Sequence, residues 1–177
     1  MSAIRTLNDK TPTLAKNVFV DPTAVVIGDV TLEDDVSVWP MATIRGDVNF
    51  IRIGKACNIQ DAAILHVSHD GPYTNGGHPL ILEEGITIAH RVTLHGCHIE
   101  SYCLIGIGAI LLDGVHVEDH VMVAAGSLVP PGKILKKGHL YLGNPARAIR
   151  VLTDTELEHL EYSAKHYINV KNKYLNF

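Results

Sequence analysis

The 177-residue chain has no stretch of 18 apolar residues, no run of Lys or Arg, and no C-x-x-C pair. The first lack, together with the absence of a charged-then-apolar leader in "MSAIRTLNDKTPTLAKNVFV", leaves no candidate membrane span or signal peptide and predicts a cytoplasmic protein. The second, with a formal net charge of −4, argues against nucleic acid as the main partner, because phosphate binding needs a basic footprint. The three cysteines, Cys57, Cys97 and Cys103, form no C-x-x-C pair and are odd in number, which fits reduced, packed thiols better than a disulfide framework. What remains is a mildly acidic chain, 46% hydrophobic and 19% charged, long enough for one domain with a real core.

A repeat dominates that chain. Written in sixes from Val26 it reads "VIGDVT LEDDVS VWPMAT IRGDVN", then an extra "FIR", then "IGKACN IQDAAI LHVSHD". After a Gly/Pro/Asn-rich interruption it resumes as "LEEGIT IAHRVT LHGCH IESYCL IGIGAI LLDGVH VEDHVM VAAGSL", one unit being shortened to five. An apolar branched residue opens each six, and a small or branched residue stands at its fifth place. This period predicts an all-β fold, a parallel β-helix whose coils bury those two positions and lend each other strand pairing. The β-helix is expected over residues 1–152, with a loop excursion near 70–81. A C-terminal α-helix over 153–177 is expected to pack along the coil. Thr153 with Glu156 reads as its capping box, and Leu157, Leu160, Ala164, Tyr167 and Ile168 recur at helical spacing over about five turns.

Register brings the histidines together. Three sixes make one coil of about 18 residues. Leu65 and Leu94 are 29 apart, and removing the eleven residues from Gly71 to Ile81 leaves one coil. His66 and His95, each following one of these leucines, should therefore stack, and the same arithmetic with "FIR" removed places Arg45 in their column. His90 stands third in its six, on the preceding face, with Asp61 one coil earlier and Gln60 beside it. Two imidazoles at strand spacing, about 4.8 Å, can share a cation, yet a catalytic zinc wants three protein ligands. The third can be His90 if the second face of a neighbouring copy packs on the first, as a three-sided prism with threefold symmetry allows. Such packing would also bring Arg45 toward Asp61 of the next chain. His116, His120, His139, His159 and His166 read as solvated surface residues.

The blocks "VWPMATIRGDVNFIRIGKACNIQD", "ILHVSHD", "IAHRVTLHGC" and "YLGNPARAIR" resemble the γ-class carbonic anhydrase-like family of hexapeptide-repeat proteins, most closely its YrdA-like bacterial branch. The resemblance implies a left-handed β-helix and a homotrimer with zinc, or iron or cobalt, one per subunit interface. His66 and His95 would come from one chain and His90 from the next. It further implies hydration of carbon dioxide to bicarbonate, a lyase reaction of carbonate dehydratase type. Three neutral imidazoles leave the cation dipositive with an open position, where water is acidified to a pKa of about 7.

Arg45, Asp47, Asn58, Gln60 and Asp61 match the family's shell around the site. Gln60 would fix the nucleophile by a hydrogen bond, Tyr162 would help place substrate from the helix, and Arg45 would hold the seam close to the chemistry. Asp47, Asn58 and Asp61 would support the ligands and the interface. The chain departs from the family's archetype in its proton exit: no acidic insertion follows Asp47, and the loop "VSHDGPYTNGGHPLIL" has no Glu. His69, a histidine close in sequence to a ligand, is the candidate replacement. A metal-dependent CoA-thioester hydrolase and a non-catalytic metal-binding assembly protein stay open as alternatives. A hexapeptide acyltransferase fits less well, having no need of three histidines around a seam.

Overall fold

The computed structural model describes residues 3–175. They wind as a left-handed parallel β-helix closed by one helix, Asp154–Leu175. Most strands are two or three residues long, one per face per coil. The longer strands Val25–Leu32 and Thr43–Ile53 run through a corner and so join two of the three faces into one sheet, while the third face forms its own sheet.

The residues that open each six form three buried ladders. On the first face Val26, Ile44, Leu65, Leu94, Leu111 and Val129 stack in register. On the second stand Leu32, Ile53, Leu82, Ile99, Val117 and Leu135. On the third are Val38, Ile59, Ile88, Ile105, Val123 and Tyr141. All of these side chains belong to one buried core. Burying each large aliphatic one is worth about 1.5–3 kcal/mol. Stability therefore resides inside the prism, and the outward residues are free for chemistry.

The structure refines the repeat reading in four places. The coil begins before Val26: Ile4 pairs with Val26, Leu14 with Leu32 and Val20 with Val38. The three extra residues are not "FIR", because Ile51 and Arg52 are already in register with Val30 and Thr31. They bulge instead between Gly46 and Ile51, at the corner that carries Asp47. The loop excursion is closed at its base by paired backbone bonds between Ser68 and His78, and the strand resumes at Leu80. At the far end His139–Gly143 stacks on the last third-face strand, then turns back antiparallel as Ala146–Val151 and caps the coil.

The helix lies against the third face. Its start is the capping box expected from sequence: Thr153 N–H donates to Glu156 at 2.9 Å and Glu156 N–H to Thr153 Oγ1 at 3.3 Å. It is about six turns long rather than five, at 22 residues. Tyr167 and Tyr174 pack edge-on against Trp39 of the third face. Lys171 is fully buried and pairs with Asp35 at 2.8 Å. Among the described residues no helix is long and apolar enough to cross a membrane.

Candidate metal centre

The strand register that pairs Leu65 with Leu94 also pairs His66 with His95, and the register of the preceding coil sets Arg45 one position after Ile44. Side chains at this position alternate outward from a strand whose leucines point inward. The imidazoles meet with Nδ1 of His66 3.0 Å from Nε2 of His95. Two metal–nitrogen bonds of about 2.0–2.1 Å at a tetrahedral angle would separate their nitrogens by about 3.3 Å. The pair is therefore already close to the spacing a cation needs, and two imidazoles are donors suited to zinc, iron or cobalt.

Both rings are held from behind. Nε2 of His66 lies 2.9 Å from Asp47 Oδ1, and Arg45 pairs with the other carboxylate oxygen of Asp47. Although burial pushes the Asp47 carboxyl up, the hydrogen bonds from His66 and then Arg45 outweigh it and hold it below the ordinary carboxylate range. The bulge after Gly46 is what brings Asp47 to this place. Nδ1 of His95 lies 2.7 Å from Asp113 Oδ1, and Ser68 donates to Asp113 Oδ2 at 2.8 Å. A carboxylate accepts only, so this His95 nitrogen carries the hydrogen and Nε2 presents its electron pair.

His90 stands elsewhere. It occupies the end of the third face, just before the corner made by Arg91 at φ +59°, and its Nδ1 meets Asp61 Oδ2 at 2.8 Å. Among the described residues no three His, Cys, Asp or Glu side chains of one chain gather as a metal centre. Beside His90, Gln60 is buried and its Nε2 donates to Asn58 Oδ1 at 3.0 Å. Asn58 donates to Thr87 Oγ1 at 3.0 Å, and Thr87 shares a 2.9 Å hydrogen bond with Ser163 of the helix. Helix docking thus fixes Gln60. The third face and the helix enclose a largely apolar cleft of about 620 Å³ lined by Gln60, His90, Ile107 and Tyr162. His159 and His166 also line it, stacked on either side of Tyr162 at 6.2 and 5.7 Å. Burial, then the charge of Asp61, pushes the Tyr167 hydroxyl up.

The sequence-derived residues therefore fall into two groups on one chain, Arg45/Asp47/His66/His95 and Asn58/Gln60/Asp61/His90/Tyr162. Within the chain Arg45 pairs with Asp47, and Asp61 with His90. His69 is exposed, its ring folded over Gly71 within the loop. Of the histidines read as surface residues, His116 and His120 each pair with a carboxylate, Glu100 and Asp119, and His159 and His166 line the cleft. Sequence reading missed Asp113, Ser68, Thr87 and Ser163. A signal for Asp113 was present: it stands third in "LLDGVH", one coil after Gly96 and so at the corner next to the His95 position.

The hexapeptide ladder and the histidine-bearing blocks both recur in known proteins. Residues 96–131 match the bacterial transferase hexapeptide (six repeats) family. The chain is 51% identical over 173 residues to Protein YrdA of Escherichia coli (strain K12), covering 98% of this chain and 94% of that protein. It is 38% identical over 159 residues to a carbonic anhydrase of Geobacillus kaustophilus, covering 90% and 84%. Its fold superposes on the crystal structure of a hexapeptide transferase family protein from Anaplasma phagocytophilum with a TM-score of 0.90 at 33% identity, covering 97% of each chain. With a ladder, a paired histidine column and near full-length identity in agreement, the chain belongs to the γ-class carbonic anhydrase-like hexapeptide-repeat family, on its YrdA-like branch.

Proposed function

We propose that this chain acts as a homotrimer that holds one divalent cation, zinc or else iron or cobalt, at each subunit interface and hydrates carbon dioxide to bicarbonate. The observation that carries this is the His66–His95 pair, 3.0 Å apart on one face, with His90 set on another. A third ligand is then required from outside the chain, and threefold packing of face on face supplies it. When bound, the cation supplies a hydroxide nucleophile at neutral pH by acidifying water.

The chain's own residues do the rest. Asp47 and Asp113 hold the two imidazoles, and Arg45 extends from Asp47 toward the seam, where Asp61 of the next copy is its complement. Gln60, fixed through Asn58 and Thr87, orients the nucleophile, and Tyr162 at the cleft wall places the substrate. His69, exposed at the mouth of the loop, takes the proton away to buffer. The test is metal content followed by stopped-flow carbon dioxide hydration on protein loaded anaerobically with zinc, iron or cobalt. The proposal expects about one ion per chain and hydration that His66→Ala, His90→Ala and His95→Ala each abolish along with the metal. Metal retained after two of these changes contradicts the site.

The cleft favours one second reading. A largely apolar space of about 620 Å³ beside His90 and Tyr162 is far larger than carbon dioxide requires. A CoA-thioester hydrolase using the same cation would fill it with an acyl chain. Thioester turnover without carbon dioxide hydration, on the same loaded protein, would select this reading.

A further inference from the structure

Asp113 lies one coil beyond the histidine pair, and both of its carboxylate oxygens are engaged. Oδ1 accepts from His95 Nδ1 at 2.7 Å and Oδ2 accepts from Ser68 Oγ at 2.8 Å. Ser68 is itself fixed, because its backbone N–H and C=O both pair with His78 at the base of the loop. The lane between Asp113 and His95 exists only because residue 96 is glycine. A Cβ there would lie 2.3 Å from Asp113 Oδ1 and 2.5 Å from His78 Cβ, and the backbone has φ +53°. Asp113 stands third in its own six, the corner place that faces Gly96 of the preceding coil.

We propose that Asp113 is a positioning residue for His95. By accepting the Nδ1 hydrogen it selects the tautomer whose Nε2 electron pair faces His66, fixes the ring plane, and makes that nitrogen a stronger donor. Ser68 keeps the carboxylate from swinging away. This role rests on the reading of His66 and His95 as cation ligands.

The test uses cobalt(II) added to the metal-free full-length protein. Affinity is read by competition with a chromophoric chelator, and geometry by visible absorption. Asp113→Asn keeps the side-chain shape and loses the charge, and is expected to weaken cobalt binding about 10–100-fold and shift the absorption bands. Ser68→Ala is expected to give a smaller loss in the same direction. Asp119→Asn breaks a comparable carboxylate–histidine pair, 2.9 Å from His120 Nδ1, and is expected to change neither readout. Asp113→Asn binding cobalt as tightly as wild type, with the same spectrum, overturns the positioning role and leaves the metal site standing. Wild-type protein that takes up no cobalt overturns the metal reading itself, and the role of Asp113 with it.

Discussion

His95 is held at Nδ1 by Asp113, its Nε2 lies 3.0 Å from His66 Nδ1, and the backbone beside it has no room to spare. Gly96→Ala should therefore do more than impose the left-handed backbone cost of about 1–2 kcal/mol. Its methyl would push the Asp113 carboxylate off His95 and press on His78. Gly138→Ala is the comparison, since Gly138 has a similar φ of +67° and nothing within 4 Å of its added Cβ. Calorimetric melting should show Gly96→Ala clearly less stable than Gly138→Ala, with loss of cobalt affinity in the first alone. Equal losses of stability, with affinity intact in both, would mean that Asp113 and His78 yield without consequence. At this scale the sequence disclosed which residue types share a column, because strand periodicity is rigid. Ring orientations and the contacts made by Asp47 and Asp113 were not legible, because Asp47 sits where the repeat gains three residues and Asp113 sits at a corner, outside the paired strand positions.

The helix is the element whose start was most legible and whose seat was least so. Thr153 and Glu156 announce its first turn, and the structure adds Arg150, whose two guanidinium nitrogens each lie 2.7 Å from Glu156. Arg150 first, then the Thr153 N–H, holds the Glu156 carboxyl down to about 2 from an ordinary 4.5. A carboxylate depressed on folding contributes stability above its unfolded value and loses it as pH falls through the folded one. Wild-type protein should thus melt above Glu156→Ala by a full margin at pH 7, and the margin should shrink as pH falls from about 4.5 to about 2. A margin unchanged across that window would show that Glu156 acts through packing rather than charge. Lys171 was illegible for a plain reason: a lysine on an amphipathic pattern reads as solvated, and only the fold reveals Asp35 waiting at 2.8 Å. The cleft was equally hidden, since it is made by the helix and the third face together. The N-terminal coil, by contrast, was within reach, for steps of six back from Val26 land on Val20 and Leu14, both of which pair with the next coil.

The whole molecule presents its candidate ligands on separate faces, and this separation is the central claim. If each site takes His66 and His95 from one chain and His90 from the next, a His66→Ala chain still offers His90, and a His90→Ala chain still offers the pair. Neither variant builds a site alone. The three buried ladders are untouched by either change, so both should fold and assemble. The direct measurement is metal bound by the two variants unfolded together and refolded as mixed assemblies, with mixing verified by mass. Random assortment fills about one seam in four, so about a quarter of the wild-type sites should return. His66→Ala mixed with His95→Ala should return none, because those ligands must come from the same chain. No recovery in the first mixture, or equal recovery in both, would contradict a site shared between subunits.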